Sequence, residues 1–267
     1  QNQDLGGDHQ VFFHGGSSLT LFASVDSTRK KANSYLQAST PHLCDAGGLS
    51  RSEVEVLTVL NYAGVVVFAA TGALAASRKQ LDLIGFLFLA AITGVGGGTL
   101  RDLLLGQVPV FWVVEPNYIV ACVATGVVVF FTAHLIEWRY RLLIWLDAIG
   151  LAAYCVMGAA LGLAATGSPT IAMVTGTLTA TCGGVLRDLL AEEPSVLLRP
   201  EIYISAALAG AGAFTAADAL GFPAHVSSAA GFAVALALRG GAIHYGWTIP
   251  RYRPRPGRDP DDALKKR

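Results

Sequence analysis

Four ionisable side chains stand inside apolar sequence as two matching pairs, Arg101-Asp102 and Arg187-Asp188. Each pair ends a twelve-residue block that occurs twice: Thr93-Gly94-Val95-Gly96-Gly97-Gly98-Thr99-Leu100-Arg101-Asp102-Leu103-Leu104 returns as Thr179-Ala180-Thr181-Cys182-Gly183-Gly184-Val185-Leu186-Arg187-Asp188-Leu189-Leu190. An ionised side chain within a membrane costs about 2.5–3.5 kcal/mol on insertion scales, and such residues usually face a bundle interior or a water-filled path. The chemistry open to them is ionic. The carboxylates of Asp102 and Asp188 would attract cations, and the guanidiniums of Arg101 and Arg187 would tune the local field through their partners.

Covalent chemistry has no foothold beside them. The six histidines lack HExxH spacing, and neither a nucleophile elbow nor a phosphate loop is present. Cys44, Cys122, Cys155 and Cys182 show no CxxC spacing, so they imply no disulfide, metal or cofactor. We read a non-enzyme with no nucleic-acid partner.

Gly96, Gly97 and Gly98 lie one turn before the first pair, and Gly183 and Gly184 before the second. Each helical glycine costs about 0.8–1 kcal/mol relative to alanine. One reading is a bend or local unwinding that releases carbonyls, which lipid cannot satisfy and which a cation can use. The other is tight packing of helices through small residues. For the charges the alternatives are a buried ionic site or snorkelling, because a straight helix from Leu81 carries Arg101 about 30 Å to the far interface. Neighbouring residues on a helix do not face each other, so Arg101 and Asp102 are each expected to pair elsewhere, across the two copies. Asn61 and Asp147 are weaker candidates for lining a path. Arg239, about 12 Å before Trp247 by helical rise, is expected to snorkel.

These residues need elements to hold them, and composition names the class. The 267-residue chain is 53% hydrophobic and 14% charged, where ordinary globular chains carry about 25% charged residues. Between Val54 and Trp247 lie seven apolar stretches of roughly 18 to 24 residues, long enough to cross a hydrocarbon core about 30 Å thick. They run approximately Val54–Ala76, Leu81–Leu104, Tyr118–Ile136, Leu142–Ala165, Pro169–Leu190, Ile202–Leu220 and Val226–Trp247. A soluble bundle would need polar outer helix faces, and Ile119 to Ala133 has none. The class is an all-α integral membrane protein. Lys and Arg concentrate on one side, in the loops at Arg78-Lys79, Arg139, Arg141 and Arg199 and in the tail after Pro250. The positive-inside rule then puts the C-terminus in the cytoplasm and the N-terminus outside, in the inner or plasma membrane.

The repeat extends beyond the blocks. At an offset of 86, Asn61 aligns with Asp147, Gly64 with Gly150, Phe68 with Tyr154 and Gly72 with Gly158. Later the register slips, with Pro116 against Pro200 and Tyr118 against Tyr203. Spans one to three therefore recur as spans four to six. Three is odd, so the second unit enters from the opposite side of the membrane, the plan of many transporters and some channels. We divide the chain into a polar extension (1–52), a first three-helix repeat (53–137), a second (138–221), a seventh helix (222–250) and a charged tail (251–267). In the extension the apolar patch Val11 to Val25 is broken by His14 and Gly15-Gly16 and follows no basic stretch, which argues against a leader peptide.

The doubled block, the three-plus-three-plus-one plan and the closing Leu238-Arg239-Gly240-Gly241-Ala242-Ile243 with Gly246-Trp247 and Pro250 resemble the prokaryotic trimeric intracellular cation (TRIC) channel family, also described as the glycine transporter domain family. The resemblance covers about Val54 to Pro250. It implies a homotrimer with a pore in each subunit that passes potassium and sodium, with membrane lipids around it. It also implies kinks at Gly96, Gly97, Gly98, Gly183 and Gly184, and a charged pore neighbourhood at Arg101, Asp102, Arg187 and Asp188. Cys182 stands where the first copy has Gly96, so the halves need not bend equally. A monovalent cation channel is the first functional expectation. A carrier for a small amino acid such as glycine is the alternative, and a non-transporting scaffold is the third. Gly97→Leu is expected to abolish conduction without unfolding the protein.

Overall fold

A computed structural model describes residues 51–135, 138–193 and 202–248, with side chains from residue 58 onward. The expectations for residues 1–50, for Pro194, Arg199 and Pro200, and for the tail lie outside those segments. The helices are α1 (Arg51–Arg78), α2 (Leu83–Leu104), a short α3 (Phe111–Val114), α4 (Asn117–Thr132), α5 (Arg139–Thr166), α6 (Pro169–Leu190), α7 (Ile204–Ala219) and α8 (Ala224–Tyr245). A 3-10 turn over Ala133–Leu135 extends α4.

Local chemistry sets the boundaries. Asp82 caps α2, its Oδ1 accepting the Gly85 amide at 2.8 Å. Ser168 holds the same place before α6, where Pro169 presets the first helical φ. Gly167 and Gly246 take the left-handed conformation that closes α5 and α8. Six of the helices are long and apolar enough to cross a membrane. The remaining expected span is α7, which is 16 residues long, about 24 Å by helical rise. It starts later than Ile202 because the chain bends at Tyr203 and turns that ring into the protein, where it is 2% exposed.

The helices α1, α2 and α4 pack on one another, and α5, α6 and α7 repeat the arrangement. Across the two units α1 meets α5 and α2 meets α6, while α8 lies against α5 and α7. The twofold relation is visible side chain by side chain. Tyr154 of α5 sits where a Gly64 side chain would project, and Phe68 of α1 sits in the same way on Gly150, with the two rings 5.0 Å apart. Within each unit Thr93 fills the space beside Gly72, and Thr179 the space beside Gly158. Lipid offers helices no hydrophobic drive to associate, so close contact through small residues must hold the bundle.

The α2–α6 crossing is the tightest of these. A Cβ on Gly97 would collide with the Thr179 carbonyl oxygen, and one on Gly183 would lie 2.7 Å from the Thr93 carbonyl oxygen. Residue 97 therefore meets 179 while 93 meets 183, so the helices run antiparallel. Both remain α-helical through their glycines. This corrects the expectation of local unwinding: the missing side chains admit the neighbouring backbone, which stands in for the lost packing.

One difference between the copies carries a stability prediction. The helix-ending turn after α2 uses Gly106 at φ 68°, whereas the equivalent turn after α6 uses Glu192 at φ 49°. Outside glycine this region costs roughly 1–2 kcal/mol. Glu192→Gly is therefore expected to raise the thermal unfolding midpoint of detergent-solubilised protein, less the small entropy gain of the unfolded chain. A fall in midpoint would count against the strain.

Candidate functional site

The structure gathers the charged residues into two buried clusters on either side of the α2–α6 crossing. Arg101 and Arg187 each lie four residues past the contact glycine, about 6 Å by helical rise, and because the helices are antiparallel they point away from each other.

In the first cluster Arg101 is 3% exposed. Its Nε and Nη2 donate to Asp102 Oδ1 at 2.9 and 2.7 Å. The other carboxylate oxygen accepts the Phe111 amide at 2.8 Å, which ties α3 to the end of α2. The guanidinium lies 5.6 Å from the Phe111 ring centre, within reach of a cation–π attraction. Phe111 packs edge-on against Tyr118, and Tyr118 stacks on Tyr62 at 4.0 Å. Asn61 donates to the Tyr118 hydroxyl at 3.0 Å, and Tyr62 donates to Glu115 at 2.6 Å. The Phe111 ring occupies the space beside Gly98.

The second cluster follows the same plan with more charge. Arg187 is 1% exposed. Its Nε and Nη2 donate to Asp188 Oδ1 at 3.0 and 2.9 Å, and its Nη1 donates to Asp147 Oδ1 at 2.8 Å. Asp147 is the equivalent of Asn61, so a neutral amide in one copy is a carboxylate in the other. The Tyr203 hydroxyl fills the space beside Gly184, as Phe111 does beside Gly98. Arg239 enters from α8, its guanidinium 5.1 Å from the Tyr203 ring centre and its Nη1 donating to the Ile202 carbonyl at 3.2 Å. Asp147 Oδ2 and the Tyr203 hydroxyl are buried and have no hydrogen-bond partner among the described residues. A void of about 10 Å³ is lined by Asp147 together with Arg187, Asp188 and Arg239, close to the volume one water needs.

Four readings change. The adjacent Arg and Asp side chains do pair with each other, because the long arginine stem wraps around the helix surface to its neighbour, and among the described residues no ion pair joins the two clusters. Arg239 does not snorkel: it is 2% exposed, since α8 turns that face onto α5 and α7. Snorkelling likewise fails for Arg101 and Arg187, which are 3% and 1% exposed and pair with carboxylates inside the protein. Gly97→Leu cannot leave the fold intact, because backbone blocks even the first added carbon. Sequence reasoning missed Phe111, Tyr118 and Tyr203 as site residues. The signal for two of them was present, since Tyr118 and Tyr203 align between the copies.

Removing one hydrogen bond tests the first cluster gently. Tyr118→Phe leaves the Asn61 amide short of an acceptor and is expected to lower stability by about 1 kcal/mol. Chemical or thermal unfolding in detergent measures it, and an unchanged midpoint would show that water replaces the hydroxyl.

Comparison with known proteins is consistent with this architecture. The family model described as "Glycine transporter" matches residues 58–134 and again 144–219. A membrane protein of Vibrio cholerae is 35% identical over 204 residues, covering 75% of this chain and 84% of its own length. The inner membrane protein YadS of Escherichia coli K12 is 36% identical over 198 residues, covering 72% of this chain and 94% of its own. The crystal structure of a TRIC trimeric intracellular cation channel orthologue from Rhodobacter sphaeroides superposes with a TM-score of 0.71 at 52% identity, covering 72% of this chain and 99% of that one.

Proposed function

The chain belongs to the glycine transporter family of TRIC-type membrane proteins, and we propose that it acts as a monovalent cation channel, passing potassium and sodium, with a pore in each subunit of a homotrimer. The observation that carries this reading is the twofold-related pair of buried ionic clusters flanking one glycine crossing. An antiparallel crossing of this kind puts equivalent surfaces on both sides of a central constriction, which is what a path through the membrane requires. The likeness to a solved channel supports it further.

In the conformation described, α2 and α6 touch backbone to backbone and the void beside the second cluster holds about one water. Conduction then needs the helices to part. Gly96, Gly97, Gly98, Gly183 and Gly184 are the positions where bending meets least resistance, since glycine has the weakest helical preference after proline. Asp102 and Asp188 would draw cations toward the two mouths. Arg101 and Arg187 would hold those carboxylates in place and balance their charge. Asn61, Asp147 and Arg239 belong to the same machinery as partners in the clusters. We place the protein in the inner membrane with its C-terminus in the cytoplasm, from the Lys and Arg asymmetry of the loops.

Planar-bilayer recording of the purified chain in asymmetric KCl tests this. Single-channel steps that reverse near the potassium potential are expected. Smooth currents without steps, or a reversal that follows chloride, would reject a cation channel. The family description favours a second reading, a carrier for glycine or another small amino acid. That reading predicts saturable, stereoselective uptake into proteoliposomes at rates far below channel flux.

A further inference from the structure

The void at the second cluster has a lid, and its parts come from both repeats. Glu193, in the turn after α6, lines the void together with Asp147, Arg187, Asp188, Arg239 and Tyr140. Its carboxylate is held by Arg78, the last residue of α1, at 2.8 Å. The Arg78 guanidinium also lies 4.6 Å from the centre of the Tyr140 ring. Beside it, Lys79 Nζ donates to the Glu192 carbonyl at 3.4 Å, and Arg139 donates to Ser77 at 3.1 Å. The end of the first repeat's opening helix is thus fastened to the end of α6.

Charge shows what the fastening does. Three carboxylates line the void (Asp147, Asp188 and Glu193) against two guanidiniums (Arg187 and Arg239), so the lining is negative by one unless Arg78 is counted. Arg78 is also the partner on the water side, with its side chain 32% exposed against 12% for Glu193. An exposed guanidinium on a flexible stem can leave more readily than the carboxylate it covers. Among the described residues the first repeat has no such lid: the residue equivalent to Glu193 is the uncharged Gln107, and Asn61 stands for Asp147.

We propose that Arg78 is a tethered counter-ion that occupies Glu193 and competes there with the permeant cation, so that release of Arg78 both uncovers the mouth of the second cluster and gives it one net negative charge. Glu193 is then the residue that sets cation entry at this end. The inference rests on the channel reading above.

The test is single-channel recording of the full chain and its variants in symmetrical KCl at about 50 mM and 1 M. R78Q is expected to raise open probability about threefold. E193Q is expected to lower unitary conductance about twofold at the lower salt and hardly at all at 1 M, where the Debye length falls to about 3 Å. The swap R78E/E193R remakes the pair and is expected to return open probability to within twofold of the wild type, while R78E alone stays high. Size-exclusion profiles matching the wild type show that each variant is folded, and both side chains lie at the bundle end, so folding should survive. A wild type that passes no current overturns the channel reading and this inference with it. A conducting wild type with R78Q, R78E and the swap alike in open probability overturns the tethered counter-ion alone. An E193Q conductance deficit that persists undiminished at 1 M overturns the electrostatic role of Glu193.

Discussion

Gly97→Ala and Gly183→Ala should each destabilise the protein by about 2–3 kcal/mol, toward the upper end of what overpacking usually costs, while Gly96→Ala should cost well under about 1 kcal/mol. All three replace a glycine in the same motif by the best helix former, so helix propensity alone predicts a gain of about 0.8–1 kcal/mol at each. What separates them is the obstacle. The added carbon at Gly97 runs into the Thr179 carbonyl oxygen and that at Gly183 into the Thr93 carbonyl oxygen, both backbone atoms of a packed helix. At Gly96 the nearest atom is the Leu186 Cδ1, at 2.7 Å, the end of a side chain that can rotate away. Thermal unfolding of the three variants in one detergent gives the ranking directly. Equal midpoints for Gly96→Ala and Gly97→Ala would show that the α2–α6 contact is looser than the structure has it. Conduction should fall with the two contact glycines, because alanine stiffens each helix at the position where parting has to bend it.

The doubled Arg-Asp block and the offset of 86 pointed to two three-helix units with a seventh helix outside them, because helical length and internal repetition are properties of composition along the chain. The equivalence of Asn61 with Asp147 and of Tyr118 with Tyr203 was legible for the same reason. What could not be read was the rotation of each helix about its axis. Arg239 has the sequence signature of a snorkelling residue near an interfacial tryptophan, and only the packing of α8 on α5 and α7 turns it inward. The pairing of Arg101 with Asp102 contradicts the spacing rule for helix neighbours because that rule describes Cβ directions, and an arginine reaches well beyond its own Cβ. Phe111 stood in a loop between spans, where nothing in periodicity ties a residue to Asp102. The lid at Arg78 and Glu193 escaped for a similar reason: its halves are 115 residues apart and belong to different repeats.

Arg187→Met is expected to destabilise by about 3–5 kcal/mol, the range for breaking a buried ion pair from one side, and Arg101→Met by clearly less. The copies differ in what the lost guanidinium leaves behind. Without Arg187, Asp147 and Asp188 remain as two buried carboxylates that shared one cation. Without Arg101, only one carboxylate, that of Asp102, remains. If charge is the cause, removing one of the two carboxylates should repair part of the damage, and the first repeat shows how to do it. Asp147→Asn gives the second cluster the residue that the first carries at Asn61. Arg187→Met/Asp147→Asn should therefore unfold at a higher temperature than Arg187→Met, even though Asp147→Asn alone weakens the intact pair, which makes the two substitutions strongly non-additive. Additive losses would mean that the methionine fails for its shape rather than for the charge it removes. In that case Arg239, which lines the same void, would have to be supplying the counter-charge that Asp147 and Asp188 need.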